Sequence, residues 1–259
     1  MSERVAVVAV GGHESANGAA LPGLFGPEVT SVACGRQLHR AVCALLRGGA
    51  ERVCVVPITL GRDATLVADT ARTLLALPAA ERSRVLLGRP FAGTEQLTEW
   101  LRAAAARVPA RAALLIAAPA GEPHEDAELY RIARLVWQHG THRIVEVALI
   151  GGDPDLGRAL ERCRVLGAVR TVALPASFVL PPVPGVAPLL SGPAAAGVLA
   201  ARVGLAVERF RVHGDDGLAA TGAHWPVHAH SDRPALDHAH PLGRAHGREF
   251  VHASPFPVA

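Results

Sequence analysis

The stretch Val5–Ser15, VAVVAVGGHES, decides how the rest of the chain reads. Val5 to Val10 is a continuous apolar run of strand length. Such runs form strands buried on both faces, as in parallel sheets covered by helices. The polar Gly11-Gly12-His13-Glu14-Ser15 then falls at the carboxyl end of that strand, where open α/β sheets bind their ligands. His13 is therefore the first candidate for chemistry.

Outward from this strand the chain alternates strands and helices. The Gly- and Pro-bearing stretch from Ala16 to Glu28 should form no element, and Val29 to Ala33 reads as a short strand. Cys34 to Arg47 carries apolar residues at helical spacing and stops at Gly48-Gly49. Arg52 to Val56 is a strand, Asp63 to Leu75 a helix with Asp63 as a candidate cap, Arg84 to Gly88 a strand and Thr94 to Arg107 a helix. The pattern restarts with a strand at Ala113 to Ala117, a polar turn PAGEPHED and a helix from Ala127 to Gln138. A strand (Ile144 to Ile150), a helix (Leu156 to Leu166) and a strand (Val169 to Leu174) follow. Val186 to Leu190 is a candidate for a further strand, and a long helix runs from Ala194 to Phe210.

GGAERVCVVP (Gly48 to Pro57) matches LGAVRTVALP (Leu166 to Pro175) as helix end, glycine, alanine, arginine, apolar strand and proline, with chance matching of Ala-rich text as the alternative. An internal duplication explains it. The expected fold is α/β, with two similar domains, 1–110 and 111–213, each a central parallel sheet flanked by helices. Residues 214–259 form a flexible, disordered His-rich tail in this reading. Eight of the 13 histidines lie from His213 onward. Two HxH pairs, His228 with His230 and His238 with His240, are candidate metal ligands there, suited to Ni, Co, Cu or Zn.

Composition narrows the function. With 259 residues and 50% hydrophobic content, a sizeable core is available. The net charge is only +3, all basic residues are arginine and scattered, and aromatics are 4%, which argues against nucleic acid. No signal-peptide pattern or 18-residue apolar span occurs, so a cytoplasmic protein without membrane contact is expected. Four cysteines without CxxC spacing read as buried free thiols. The absence of a glycine-rich phosphate loop disfavours nucleotides.

His13, Glu14 and Asp63 make a histidine-plus-carboxylate set if their loops converge. Such a set holds borderline ions, and Glu14 or Asp63 would also serve as proton acceptor. Glu14 paired with Arg62 in solvent, and Asp63 as a helix cap, remain open. Ser15, Arg62 and Arg89 lie beside these strand ends and could hold substrate carboxylates. The acidic turn Glu122, His124, Glu125, Asp126 would lie opposite His13 across a cleft, with capping of the following helix as its other reading.

These motifs resemble the class II tetrapyrrole chelatases, the sirohydrochlorin cobaltochelatase and ferrochelatase proteins in their long two-domain form, over roughly residues 4 to 212. Gly12-His13-Glu14-Ser15 is similar to the family's Gly-His-Gly-Ser motif. Pro57 to Asp63 is similar to its proline, hydrophobic pair, glycine and histidine motif, Arg89-Pro90-Phe91 to Leu97 to its later proline-leucine-glycine turn and helix, Asp126 to Trp137 to a characteristic family helix, and Leu160 to Pro175 to a further stretch of the family. Asp63 stands where the family has its second histidine, and Glu14 replaces a glycine.

The resemblance implies a lyase that inserts Co2+ or Fe2+ into sirohydrochlorin or a related tetrapyrrole, as in cobalamin or sirohaem synthesis. His13 is its metal histidine. It implies the tetrapyrrole and a divalent metal (Co2+, Fe2+ or Ni2+) as substrates, no permanently bound cofactor, and leaves a homodimer open. A chelatase-derived metal- or tetrapyrrole-binding or metal-delivery protein without turnover is the alternative, since the second family histidine is absent.

Overall fold

The computed structural model describes residues 5–221. The elements are β1 (Val5–Gly11), α1 (Pro22–Phe25), β2 (Val29–Ala33), α2 (Arg36–Arg47), β3 (Arg52–Ile58), α3 (Ala64–Leu75), α4 (Ala79–Arg82), β4 (Val85–Leu87) and α5 (Thr94–Ala105) in the first half. The second half has β5 (Ala113–Pro119), α6 (Pro123–Gln138), β6 (Val145–Ile150), α7 (Leu156–Val165), β7 (Thr171–Pro175), α8 (Gly192–His213) and α9 (Leu218–Thr221). The four tail histidines expected to bind metal, His228, His230, His238 and His240, lie outside the described residues.

Two parallel sheets result, ordered β2-β1-β3-β4 and β6-β5-β7. Both start from an inner strand and then place successive strands on opposite sides of it. The turning point between β1 and β3 in one sheet, and between β5 and β7 in the other, is where such sheets open a crevice for ligands. The two sheets are similar, as the repeated sequence implied. Gly49 and Gly167 occupy matching places with φ of +90° and +89°, a left-handed bend open to glycine. The next residue donates five back in each case, Ala50 N to Leu45 O and Ala168 N to Cys163 O, so the same helix end feeds β3 and β7.

One apolar cluster spans both halves. Ala9, Val56 and Ile58 of the first sheet and Leu114, Ile116 and Ala118 of the second belong to it, with Leu129 and Ile132 of α6 and Leu199 of α8. Burial of this size is the main force holding the halves together. The outer face of the first sheet packs on α2 and α3, and that of the second on α7. Helix α8 crosses back onto the first half, where Arg202 Nε donates to Phe91 O at 3.0 Å and Arg209 Nη2 donates to Leu87 O at 2.7 Å. In return α5 leans on α6 and β7.

Three local expectations change. The segment from Ala16 to Glu28 contains α1, because Pro22 fits a first helical position and Phe25 packs at a tilt on Phe91, with ring centroids 5.9 Å apart. Val186 to Leu190 is not a strand. Pro181, Pro182, Pro184 and Pro188 remove the donors a ladder needs, and Leu189 and Leu190 pack on the core from irregular backbone. The polar turn before α6 is shorter than its sequence suggested, since the helix begins at Pro123 with Glu122 as cap.

Candidate metal site

Three strand ends meet at one point. His13 lies in a single 3-10 turn (His13–Ser15) directly after β1, Asp63 caps α3 after β3, and Glu125 sits in the first turn of α6 after β5. The first two flank the β1/β3 turning point, and the third arrives from the other half. One ligand atom from each of His13, Asp63 and Glu125 lies within 4.8 Å of the other two.

Each side chain is held. Asp63 Oδ1 accepts from Leu66 N at 3.0 Å and from Thr65 Oγ1 at 3.1 Å, which caps the helix. Its Oδ2 accepts from His13 N at 3.3 Å and lies 3.2 Å from His13 Nδ1. A proton on Nδ1 donated to Asp63 leaves the lone pair on Nε2, the arrangement that orients ligating imidazoles in metal sites. His13 Nε2 is buried without a hydrogen-bond partner and lies 3.8 Å from Glu125 Oε2. Glu125 Oε2 accepts from Glu122 N at 2.8 Å, completing a capping box that fixes the carboxylate.

Two glycines make this closeness possible. A Cβ on Gly12 would lie 1.9 Å from Asp63 Oδ2, and one on Gly121 would lie 2.3 Å from Glu125 Oε2 and 3.1 Å from His13 Nε2. The 3.8 Å gap they leave between His13 Nε2 and Glu125 Oε2 suits a small bridging cation.

Charge follows the geometry. Burial opposes the imidazolium of His13, but the Asp63 hydrogen bond and the charges of Glu125, Asp63 and Glu14 outweigh it, so its pKa lies above the ordinary 6.5. Burial pulls Asp63 the other way, yet the hydrogen bond and charge of His13, then Leu66 N and Thr65, hold its carboxyl below 3.8. The two shifts agree on an ion pair when no metal is present.

The cluster faces a cleft of about 520 Å³, also lined by Asn17, Cys34, Asp69 and Glu122. No arginine lines it among the described residues. Arg89 is exposed and outside this lining, and Arg62 is buried in the seam between the halves. Ser15 is buried too, donating to Gly12 O at 3.1 Å and accepting from Gly18 N at 3.2 Å, so it closes its own turn.

Glu14 points inward, with no exposed surface. Its Oε2 accepts from Thr59 Oγ1 and, at 2.9 Å, from Leu60 N, while Oε1 has no partner. Burial raises its pKa above 4.5, against the pull of Thr59, Arg62, Leu60 and His13. The folded carboxyl thus keeps its proton to higher pH than the unfolded one, and the fold loses stability as pH rises from about 4.5 toward the raised value. Glu14→Gln removes that loss. Denaturant unfolding should show the variant gaining on the parent between pH 4 and pH 8, and an equal difference at both pH values would contradict this.

The sequence brought His13 and Asp63 forward, and the structure places them in contact. Glu125 stood in the sequence only as part of an acidic turn or as a cap. Its signal was the Glu122/Glu125 capping spacing directly after a strand, which is silent about what the carboxylate faces. His124 is exposed and is not among the cluster. The tail candidates His228, His230, His238 and His240 lie outside the described residues. All four cysteines are free thiols; Cys54 and Cys163 are buried, with burial pushing Cys54 up to about 12, while Cys34 and Cys43 are half-buried. Among the described residues no helix is long and apolar enough to cross a membrane.

No family model matches the chain. A sirohydrochlorin cobaltochelatase of Priestia megaterium is 28% identical over 144 residues, which take in 49% of this chain and 45% of that protein. The match thus spans less than half the length of that relative. It supports a distant relationship to the class II tetrapyrrole chelatases.

Proposed function

We propose that the chain holds a divalent metal ion, Co2+ or Fe2+, between its two halves and inserts it into sirohydrochlorin or a related tetrapyrrole. The convergence of His13, Asp63 and Glu125 from three strand ends carries this reading, and the cobaltochelatase relative supports it. In it the metal is a substrate. Imidazole and carboxylate bind borderline ions adequately, and so few protein ligands leave positions for incoming macrocycle nitrogens. The free thiols fit a reducing compartment such as the cytoplasm.

The same groups can balance the protons. Insertion releases two pyrrole protons as the ion leaves His13 Nε2 and Glu125. His13 takes one to become imidazolium, with Asp63 holding the charge, and the Glu125 carboxylate takes the other. The ion's two charges pass to the macrocycle, and both acceptors lie where the ion was. Asp63 serves here as the orienting partner of His13, because its Oδ2 faces Nδ1 at 3.2 Å and leaves Nε2 to the ion.

Binding should compete with protons. Only neutral His13 offers Nε2, and its pKa is raised above 6.5. Co2+ affinity measured by calorimetry should therefore climb as pH rises through 6.5 and beyond, levelling only once His13 is neutral. An affinity flat from pH 6 to pH 8.5 would remove His13 from the ligand set.

One observation favours a second reading, metal holding or delivery without turnover. The cleft beside the cluster is acidic and lacks arginine among the described residues, and a polycarboxylate gains nothing from such walls. Incubating the full chain with sirohydrochlorin and Co2+, Fe2+ or Ni2+ in turn separates the two. Insertion predicts loss of the free-base absorbance faster than the spontaneous background. One bound equivalent of metal with background insertion would establish holding alone.

A further inference from the structure

Arg62 has no exposed side-chain surface, while most of the other described arginines are exposed. Taking a guanidinium out of water is costly unless its donors are met. It leaves the first half just after β3 and ends in the second. Nε donates to Glu125 O at 3.2 Å, and Nη2 donates to Pro119 O at 3.2 Å and to Asp126 Oδ1 at 3.2 Å. Asp126 Oδ1 also accepts from Gly121 N at 2.9 Å. Nη1 is buried without a hydrogen-bond partner.

These contacts grip both ends of one turn. Pro119 is the last residue of β5, Gly121 lies within the turn, and Glu125 and Asp126 are in the first turn of α6. That turn carries the Glu125 carboxylate, whose Oε2 lies 3.8 Å from His13 Nε2. A planar fork with several fixed donors can do this, whereas a single ammonium cannot.

We infer that Arg62 is the positioning residue of the metal site: from the first half it fixes the β5–α6 turn of the second, and so sets the gap between His13 Nε2 and Glu125 Oε2. This rests on the reading that His13 and Glu125 hold the ion. The cost of burying the charge is offset by its hydrogen bonds to Glu125 O and Pro119 O and its ion pair with Asp126.

The test is Co2+ binding to the full chain, by calorimetry and by the visible bands of bound Co2+, for Arg62→Lys, Glu125→Gln and the double variant. Arg62→Lys keeps the charge and loses the fork. It should lower affinity about tenfold, as removal of partners that orient ligands does, and shift the Co2+ bands. In the Glu125→Gln background the same change should cost nothing more, because its route is gone; a purely structural role would give the same loss in both backgrounds. Should Arg62→Lys fail to fold, Asp126→Ala removes one of the three anchors and should give a smaller loss with the same dependence on Glu125. Parent-like binding by Arg62→Lys, or additive losses, overturns the inference while the metal site stands. Parent-like binding by Glu125→Gln together with His13→Ala overturns the metal reading and this inference with it.

Discussion

His13→Ala is expected to lower the affinity of the full chain for Co2+ by more than about a hundredfold, since removing a ligand costs more than removing a partner that merely orients one. The loss should come without unfolding. His13 is half-buried in a surface turn, and its side chain contributes to no apolar cluster. What it does contribute is the unpartnered Nε2 and, through Nδ1, the reason for Asp63 to face the cleft. Circular dichroism and a thermal melt close to those of the parent, with insertion at background, would complete the expected picture. Co2+ affinity within a few-fold of the parent would show that the ion is held elsewhere.

Gly121→Ala should be nearly as damaging, by a different route. The added methyl would lie 2.3 Å from Glu125 Oε2 and 3.1 Å from His13 Nε2, well inside contact distance of the first. Glu125 cannot simply swing aside, because its carboxylate is bound to Glu122 N and its carbonyl accepts from Arg62. Either the carboxylate leaves its cap or the turn moves; both widen the gap that the ion must bridge. A loss of Co2+ affinity of about tenfold or more is expected, with destabilisation of about 1–3 kcal/mol from the overpacking. Destabilisation with parent-like affinity would show that Glu125 is a helix cap and nothing more.

The fold was legible because its signals are local. The apolar run Val5 to Val10, the matched Gly49 and Gly167 bends and the helical spacing from Leu38 to Leu46 each report a structure formed within a few residues. The Val186 to Leu190 segment failed as a strand because four nearby prolines outweigh β-branched apolar character. The first turn of α6 was hidden by charged residues that serve as its cap.

The site was legible only from one side. His13 and Asp63 follow strands that the alternating pattern makes neighbours, so their meeting follows from topology. Glu125 and Arg62 act between halves, and nothing local says which way a capping glutamate or a loop arginine points. Arg62 shows the difficulty well: by type it belongs on the surface, and only the turn it grips explains its burial. The placement of α8 on the first half is similarly non-local, since a helix late in the chain carries no mark of the sheet it covers.

The most direct test of the metal site is anomalous diffraction at the cobalt edge from crystals of the full chain grown with Co2+. A peak about 2.1 Å from both His13 Nε2 and Glu125 Oε2, with Asp63 still bonded to Nδ1, is the expected result. A peak on other residues, with none between His13 Nε2 and Glu125 Oε2, would contradict it.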